Sequence, residues 1–113
     1  MQKADKIRIQ HMIDSAREAV SFVEGKSRKS LGRDRKLVLA MVKSIEIIGE
    51  AASNVTDEAR TDFPNVPWRD IVGMRNRLIH AYFDIDLDVL WSTVADDLPP
   101  LIEELEKILS HSE

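Results

Sequence analysis

The chain has 113 residues, room for one domain of ordinary size and none for a second. Apolar residues supply 43% and charged residues 32%, a globular balance far from disorder, and the lack of cysteine excludes disulfide frameworks, thiolate zinc sites and cysteine nucleophiles. The net charge of −4 argues against a protein that coats nucleic acid through bulk positive charge.

The charge is unevenly spread. Residues 1–56 carry 11 Lys and Arg against 7 Asp and Glu, whereas residues 57–113 carry 5 against 13. Met1 to Gln10 lacks the continuous apolar run of a signal peptide, and no stretch reaches about 18 uninterrupted apolar residues. The expectation is a soluble, cytoplasmic protein that spans no membrane.

Helical periodicity dominates. Ile9, Met12, Ile13, Ala16, Ala19, Val20 and Val23 recur at three- and four-residue steps, which predicts a first helix over about 4–24. Gly25 stands where a left-handed cap would end it. Lys26, Arg28, Lys29, Arg33, Arg35 and Lys36 then crowd one short stretch, with Asp34 opposing them. Either they attract phosphate or they keep an inter-helix loop solvated.

Asp34 is a fitting N-cap for a second helix over about 34–54, with a stripe of Val38, Met41, Ile45, Ile48, Ala52 and Val55. Thr56, Asp57 and Glu58 start only a short connector helix, because Pro64 and Pro67 forbid continuation. Pro67 suits a first helical turn, so a third helix is expected from there to about Tyr82. Asp86 caps the fourth, whose stripe runs from Leu87 and Leu90 to Ile108 and Leu109. Pro99 and Pro100 lie inside it and predict a kink or break near 96–100. No run reads as a strand. The expected fold is an all-α, up-and-down bundle of four main helices plus a short connector helix, with residues 1–113 forming a single domain.

The third helix carries the chemistry. On a wheel with Arg75 at the origin, Trp68, Ile71, Ile79 and Tyr82 all fall within about 40° of it, so a guanidinium leaves the helix from an apolar arc. Asn76 and His80 form an i, i+4 pair on another ridge beside Gly73, while Met74, Leu78 and Ala81 cover the opposite side. Two apolar aspects on one helix serve a bundle core and a second protein surface, and Gly73 leaves room for a partner backbone. Arg75 could simply stack on Trp68, and an isolated histidine is ordinary. The conjunction of Arg75, Asn76, His80 and Tyr82 within eight residues is what points to a site.

The run Met74-Arg75-Asn76-Arg77-Leu78-Ile79-His80-Ala81-Tyr82 resembles the R-x4-H-x-Y signature of the HEPN superfamily, specifically its HepT-like toxins. Pro67-Trp68-Arg69-Asp70-Ile71, Ile48-Gly49-Glu50-Ala51, Val89-Leu90-Trp91 and Leu98-Pro99 are similar to that family as well, so the resemblance spans nearly the whole chain. It implies a HEPN-like helical domain that forms a homodimer, with Arg75 and His80 of both copies lining one cleft. It also implies a metal-independent endoribonuclease without a cofactor, acting on RNA such as tRNA or mRNA.

The chemistry follows from RNA's own nucleophile. A ribose 2′-hydroxyl attacks the adjacent phosphorus, a proton is removed, charge builds on the phosphoryl oxygens, and the leaving 5′-oxygen is protonated. Imidazole, which titrates near pH 6.5 when unperturbed, makes His80 the acid–base group. Arg75 presents a fork that matches two phosphoryl oxygens, and Asn76 supports by orienting His80 or binding phosphate.

In HepT-like systems the partner is a small nucleotidyltransferase antitoxin that transfers AMP to the motif tyrosine, and Tyr82 matches that position. Added AMP would block an RNA groove by bulk and like charge. Without the resemblance, Tyr82 reads as a packing residue.

The remaining polar residues carry less. His11 and His111 lack companions at metal-ligand spacing, and Asp84, Asp86 and Asp88 lack the glycine and distal glutamate of a calcium loop, so no metal site is expected. Glu46 and Glu50 either face the groove or hold Arg69 or Arg77. The four glycines, Gly25, Gly32, Gly49 and Gly73, form no phosphate-cradling loop. The competing reading is a non-catalytic helical module for dimerisation and nucleotide binding that docks a nucleotidyltransferase. A purely structural bundle is a third.

Overall fold

The computed structural model describes residues 1–81 and 84–111, and it is helical almost throughout. The first helix, α1, spans Lys3–Val23 and buries Ile9, Met12, Ile13, Ala16 and Ala19, the inward stripe expected of it. It ends at Glu24 ahead of Gly25, whose φ of 72° is the left-handed conformation a side chain resists.

The basic stretch is fastened down. Arg28–Gly32 forms a 3-10 turn closed by a reciprocal Ser27 and Ser30 capping box, Leu31 is buried beneath it, and Arg28 Nε meets Asp88 Oδ1 at 2.5 Å.

Helix α2, Arg35–Ser53, begins where Asp34 accepts the Leu37 N–H at 3.1 Å, as an N-cap should. It packs along α1 and supplies Val38, Met41, Ile45, Ile48 and Ala52 to the core. Gly49 lies where α4, Trp68–Val72, crosses it: a Cβ there would stand 3.4 Å from the Ile71 carbonyl oxygen and 3.7 Å from that of Val72. Alanine would fit at van der Waals contact, and a larger side chain would push α4 outward. The connector is α3, Asp57–Asp62, capped by Thr56. The Trp68 indole N–H donates to the Phe63 carbonyl at 3.0 Å and so fixes the connector to the start of α4.

The expected third helix is instead three pieces. After α4, Gly73 forms a junction; α5, Met74–Leu78, is one turn and a half; then β1, Ile79–Ala81, is extended and pairs antiparallel with β2, Asp84–Ile85, with Ile79 opposite Ile85. The expectations of a continuous helix over 67–82 and of no strand are both corrected. The cause is a contact from later in the chain. The Asp86 N–H donates to the Leu78 carbonyl at 2.7 Å, and the β-branched Ile79 leaves the helix at φ −115° and ψ 106°.

Asp86 caps α6, Leu87–Ser92, as expected. The break anticipated near 96–100 appears just upstream as a π-helical segment, Thr93–Asp97, and α7 then runs from Leu98 to His111 with both prolines in its first turn. Pro99 and Pro100 have no N–H to give to the preceding turn, and the wider π turn absorbs that loss. Leu90, Val94, Leu98, Leu101, Leu105 and Ile108 remain on the core side throughout. Among the described residues, no helix is long and apolar enough to cross a membrane.

Candidate active site

Helices α4 and α5 lie against α2 with Ile71, Met74 and Leu78 turned into the core. That fixes what faces outward. Val72, Arg75 and Asn76 join Ile45, Glu46, Gly49, Glu50 and Ser53 of α2 around an open depression of about 350 Å³. Gly49 helps to form it, because a side chain there would occupy space beside α4.

Arg75 Nε lies 3.8 Å from Glu46 Oε1, with roughly half of the arginine side chain exposed (52%). The breaks at Gly73 and after Leu78 therefore correct the wheel. Arg75 does not emerge beside Trp68, since Trp68 is buried and directed at Phe63. Glu46 pairs with Arg75 rather than with Arg69 or Arg77.

His80 is on β1, off the helix, so it forms no ridge with Asn76. Its side chain is 55% exposed, and its Nε2 lies 3.3 Å from Asp86 Oδ2. The other Asp86 oxygen accepts the Val89 N–H at 3.1 Å. That backbone bond first, and the His80 bond second, hold the Asp86 carboxyl below its usual 3.8, with burial opposing.

A folded value below the unfolded one means stabilisation that is complete above the unfolded value and lost as the pH falls through the folded one. Equilibrium denaturation from pH 5 down to 2 should therefore show a steeper acid loss of stability in the native protein than in Asp86→Ala. Equal slopes would remove Asp86 as a source of acid sensitivity.

The site residues are thus placed as follows. Arg75 and Asn76 share one depression with two carboxylates, His80 stands beside it in sequence on the hairpin with Asp86, and Tyr82 lies outside the described residues. Glu46 and Glu50 do face the groove, one of the two expected placements, but two pairings were missed, Glu46 with Arg75 and Asp86 with His80. Glu46 is 29 positions before Arg75, too remote for any local pattern. Asp86 was legible as an N-cap but not as the partner of His80; the six-residue interval gives a signal only once Ile79–Ala81 is known to pair with Asp84–Ile85.

A larger hollow of about 420 Å³ lies on the other side of α4 and α5, between Ile71, Met74 and Arg77 and the α7 residues Leu98, Pro100 and Leu101. Asp70, Asp97 and Glu104 at its edge make it a poor seat for phosphate, and it holds none of Arg75, Asn76 or His80. Among the described residues no three imidazole or carboxylate groups converge as metal ligands would.

In chemical terms the depression offers a planar cation and an amide to an anion, with Glu46 competing for the cation. The pair is half exposed and contributes little to stability. Glu46→Gln should therefore leave the melting temperature within a degree or two and tighten binding of inorganic polyphosphate several-fold at low salt, as read by titration calorimetry. Weaker binding would show instead that Glu46 holds Arg75 in its binding geometry.

Comparison with known proteins shows what the whole chain is similar to. The family described as "Ribonuclease HepT-like" matches residues 12–108. A Methanocaldococcus jannaschii protein named "Putative RNase" is 36% identical over 107 residues, which cover 94% of this chain and 98% of that relative. A Thermococcus cleftensis protein named "Probable ribonuclease HepT" is 37% identical over 100 residues, covering 85% of this chain and 91% of its own. A Caldanaerobacter subterraneus protein, also named "Putative RNase", is 36% identical over 101 residues, covering 89% of this chain and 90% of that relative. No solved structure gives a significant match.

Proposed function

Because the chain belongs to the HepT-like ribonuclease family, we propose that it is a metal-independent endoribonuclease and the toxin of a toxin–antitoxin pair, active as a homodimer. The observation that carries the reading is the outward placement of Arg75 and Asn76 in one open depression, with His80 exposed next to them in the chain. None of the three is spent on the core.

Dimerisation has its own support. Val72 is an exposed apolar residue on the rim of the Arg75 depression, and Leu39 stands exposed one heptad before Glu46 on α2. A second copy laid across this face by two-fold symmetry buries these side chains and brings its own Arg75 and His80 to the same groove.

In that groove one His80 removes the 2′-hydroxyl proton as the oxygen attacks phosphorus. Arg75, with Asn76, neutralises the charge on the non-bridging oxygens. The bond from phosphorus to the 5′-oxygen breaks, and the other His80 gives that oxygen a proton. The products are a 2′,3′-cyclic phosphate and a 5′-hydroxyl. RNA supplies the nucleophile itself, so no metal-bound water is required. A base and an acid of the same type make the rate bell-shaped in pH, and a flat profile between pH 5 and 9 would rule out His80 as the acid–base group.

The partner is a nucleotidyltransferase antitoxin. The Tyr82 hydroxyl attacks the α-phosphorus of ATP, pyrophosphate leaves, and AMP remains on a residue two positions from His80. The bulk and the phosphate charge then exclude RNA. AMP found on any other residue after incubation with the cognate enzyme would overturn this assignment.

One observation favours a second reading, the non-catalytic module for dimerisation and nucleotide binding: within a single chain, the depression lined by Arg75 and Asn76 does not include His80. The deciding experiment incubates purified, unmodified protein with total RNA and with tRNA in EDTA and maps the product ends. EDTA-resistant cleavage leaving cyclic phosphate is the expected result. Absence of cleavage by protein free of AMP at Tyr82 would favour the binding module instead.

A further inference from the structure

Asp86 uses both carboxylate oxygens at once. Oδ1 accepts the Val89 N–H at 3.1 Å and caps α6, while Oδ2 stands 3.3 Å from His80 Nε2. The residue cannot turn away without giving up the cap, and its backbone is pinned as well, because its N–H donates to the Leu78 carbonyl at 2.7 Å. The hairpin completes the frame: Ile79 pairs with Ile85, so His80 and Asp86 each follow a paired position. An exposed imidazole is thus held by a carboxylate whose own place is set by a helix start and by the end of α5.

We infer that Asp86 is the positioning residue of this ribonuclease site, holding the neutral His80 ring with its proton on Nε2 so that Nδ1 is the nitrogen that exchanges protons with RNA. The assignment rests on the reading of His80 as the acid–base group. An ionised carboxylate accepts only, so the imidazole nitrogen facing it must be the one that bears hydrogen. The free lone pair is then on the opposite side of the ring, and the same bond fixes the ring plane. When His80 takes up a proton on Nδ1, Asp86 also faces a cation.

The cap supplies an unusually direct test. In Asp86→Asn the side-chain oxygen is required by the Val89 N–H, which leaves the amide NH2 group facing His80. A donor there demands a bare Nε2, so the proton moves to Nδ1 and the basic nitrogen is turned away from RNA. In Asp86→Ser the hydroxyl still caps α6 but is too short to reach the ring. Asp, Asn and Ser are comparable N-caps, so both variants should melt within a few degrees of the native protein.

The experiment records imidazole nitrogen shifts by 15N-edited NMR at pH 8.5, together with RNA cleavage rates, for the native protein, Asp86→Asn, Asp86→Ser and His80→Ala. Expected are a fully Nε2-protonated His80 in the native protein, an Nδ1-protonated ring in Asp86→Asn with cleavage lowered about 100-fold, and a mixture of both forms in Asp86→Ser with a smaller loss. An unchanged tautomer in Asp86→Asn, or cleavage by that variant no slower than by Asp86→Ser, would overturn the proposal. If His80→Ala is inactive while Asp86→Asn is fully active, the role of Asp86 alone falls. If His80→Ala cleaves RNA as fast as the native protein, the acid–base reading falls and takes this one with it.

Discussion

Replacing His80 by alanine should lower the rate of RNA cleavage by about 10²- to 10⁴-fold, the range that a positioned acid–base group supplies, while the protein stays folded. The second half of that expectation comes from the structure. The side chain is 55% exposed, stands on a short edge strand, and touches Asp86 through one nitrogen at 3.3 Å. Asp86 keeps its cap on α6 without it, so little stability is at stake.

Circular dichroism melts and sedimentation of native and variant protein should therefore overlay while cleavage is lost. Arg75→Lys is the informative companion. Lysine keeps the charge but not the planar fork, so it should recover only a small part of what Arg75→Ala loses. Cleavage by His80→Ala at the native rate would end the catalytic reading.

The second large effect is on stability and lies far from the site. Asp5, near the start of α1, is almost wholly buried, yet its two oxygens accept the Thr56 N–H at 2.9 Å and the Thr56 hydroxyl at 2.7 Å. The same hydroxyl accepts the Ala59 N–H at 3.2 Å and caps α3. One carboxylate therefore ties the beginning of the chain to the connector that leads into α4.

Hydrogen bonds to a charged group contribute about 1.5 to 3 kcal/mol each, and removing the acceptor strands a part-buried amide. Asp5→Ala should cost about 3 kcal/mol in urea denaturation, and Asp5→Asn, which keeps one acceptor oxygen, about half of that. Cleavage per folded molecule should not change. A loss below about 0.5 kcal/mol would mean that water replaces the carboxylate at no cost.

Much of the bundle was legible because it is written in local periods. The inward stripes of α1, α2 and the segment after Asp86 are set by spacing, and the caps at Asp34, Thr56 and Asp86 by residue type, so they fall where expected. The end of α5 is different in kind. Met74 to Tyr82 has a helical rhythm, and it takes the Asp86 N–H reaching the Leu78 carbonyl and the pairing of Ile79 with Ile85 to make Ile79–Ala81 a strand. That bond joins two stretches whose local patterns say nothing of each other.

The site divides in the same way. Arg75, Asn76 and His80 were visible as an unusual run of polar residues, while Glu46 beside Arg75 and Asp86 beside His80 depend on the fold. The prolines were read correctly as a disturbance, but the response to them is spread over the preceding turn, Thr93–Asp97.

Arg75, Asn76 and His80 all point outward, and none belongs to the buried cluster formed by Ile9, Met41, Ile45, Leu78 and Leu105. This separation has a genetic side. A single base change that exchanges His80 would silence the proposed activity and still yield a folded protein. If the chain pairs as proposed, each mixed dimer in a cell expressing both alleles would have half of a two-chain site, so the silent allele would lower the activity below that of a single native copy. Suppressors of growth inhibition should then include missense changes at these exposed positions, recovered at normal protein abundance.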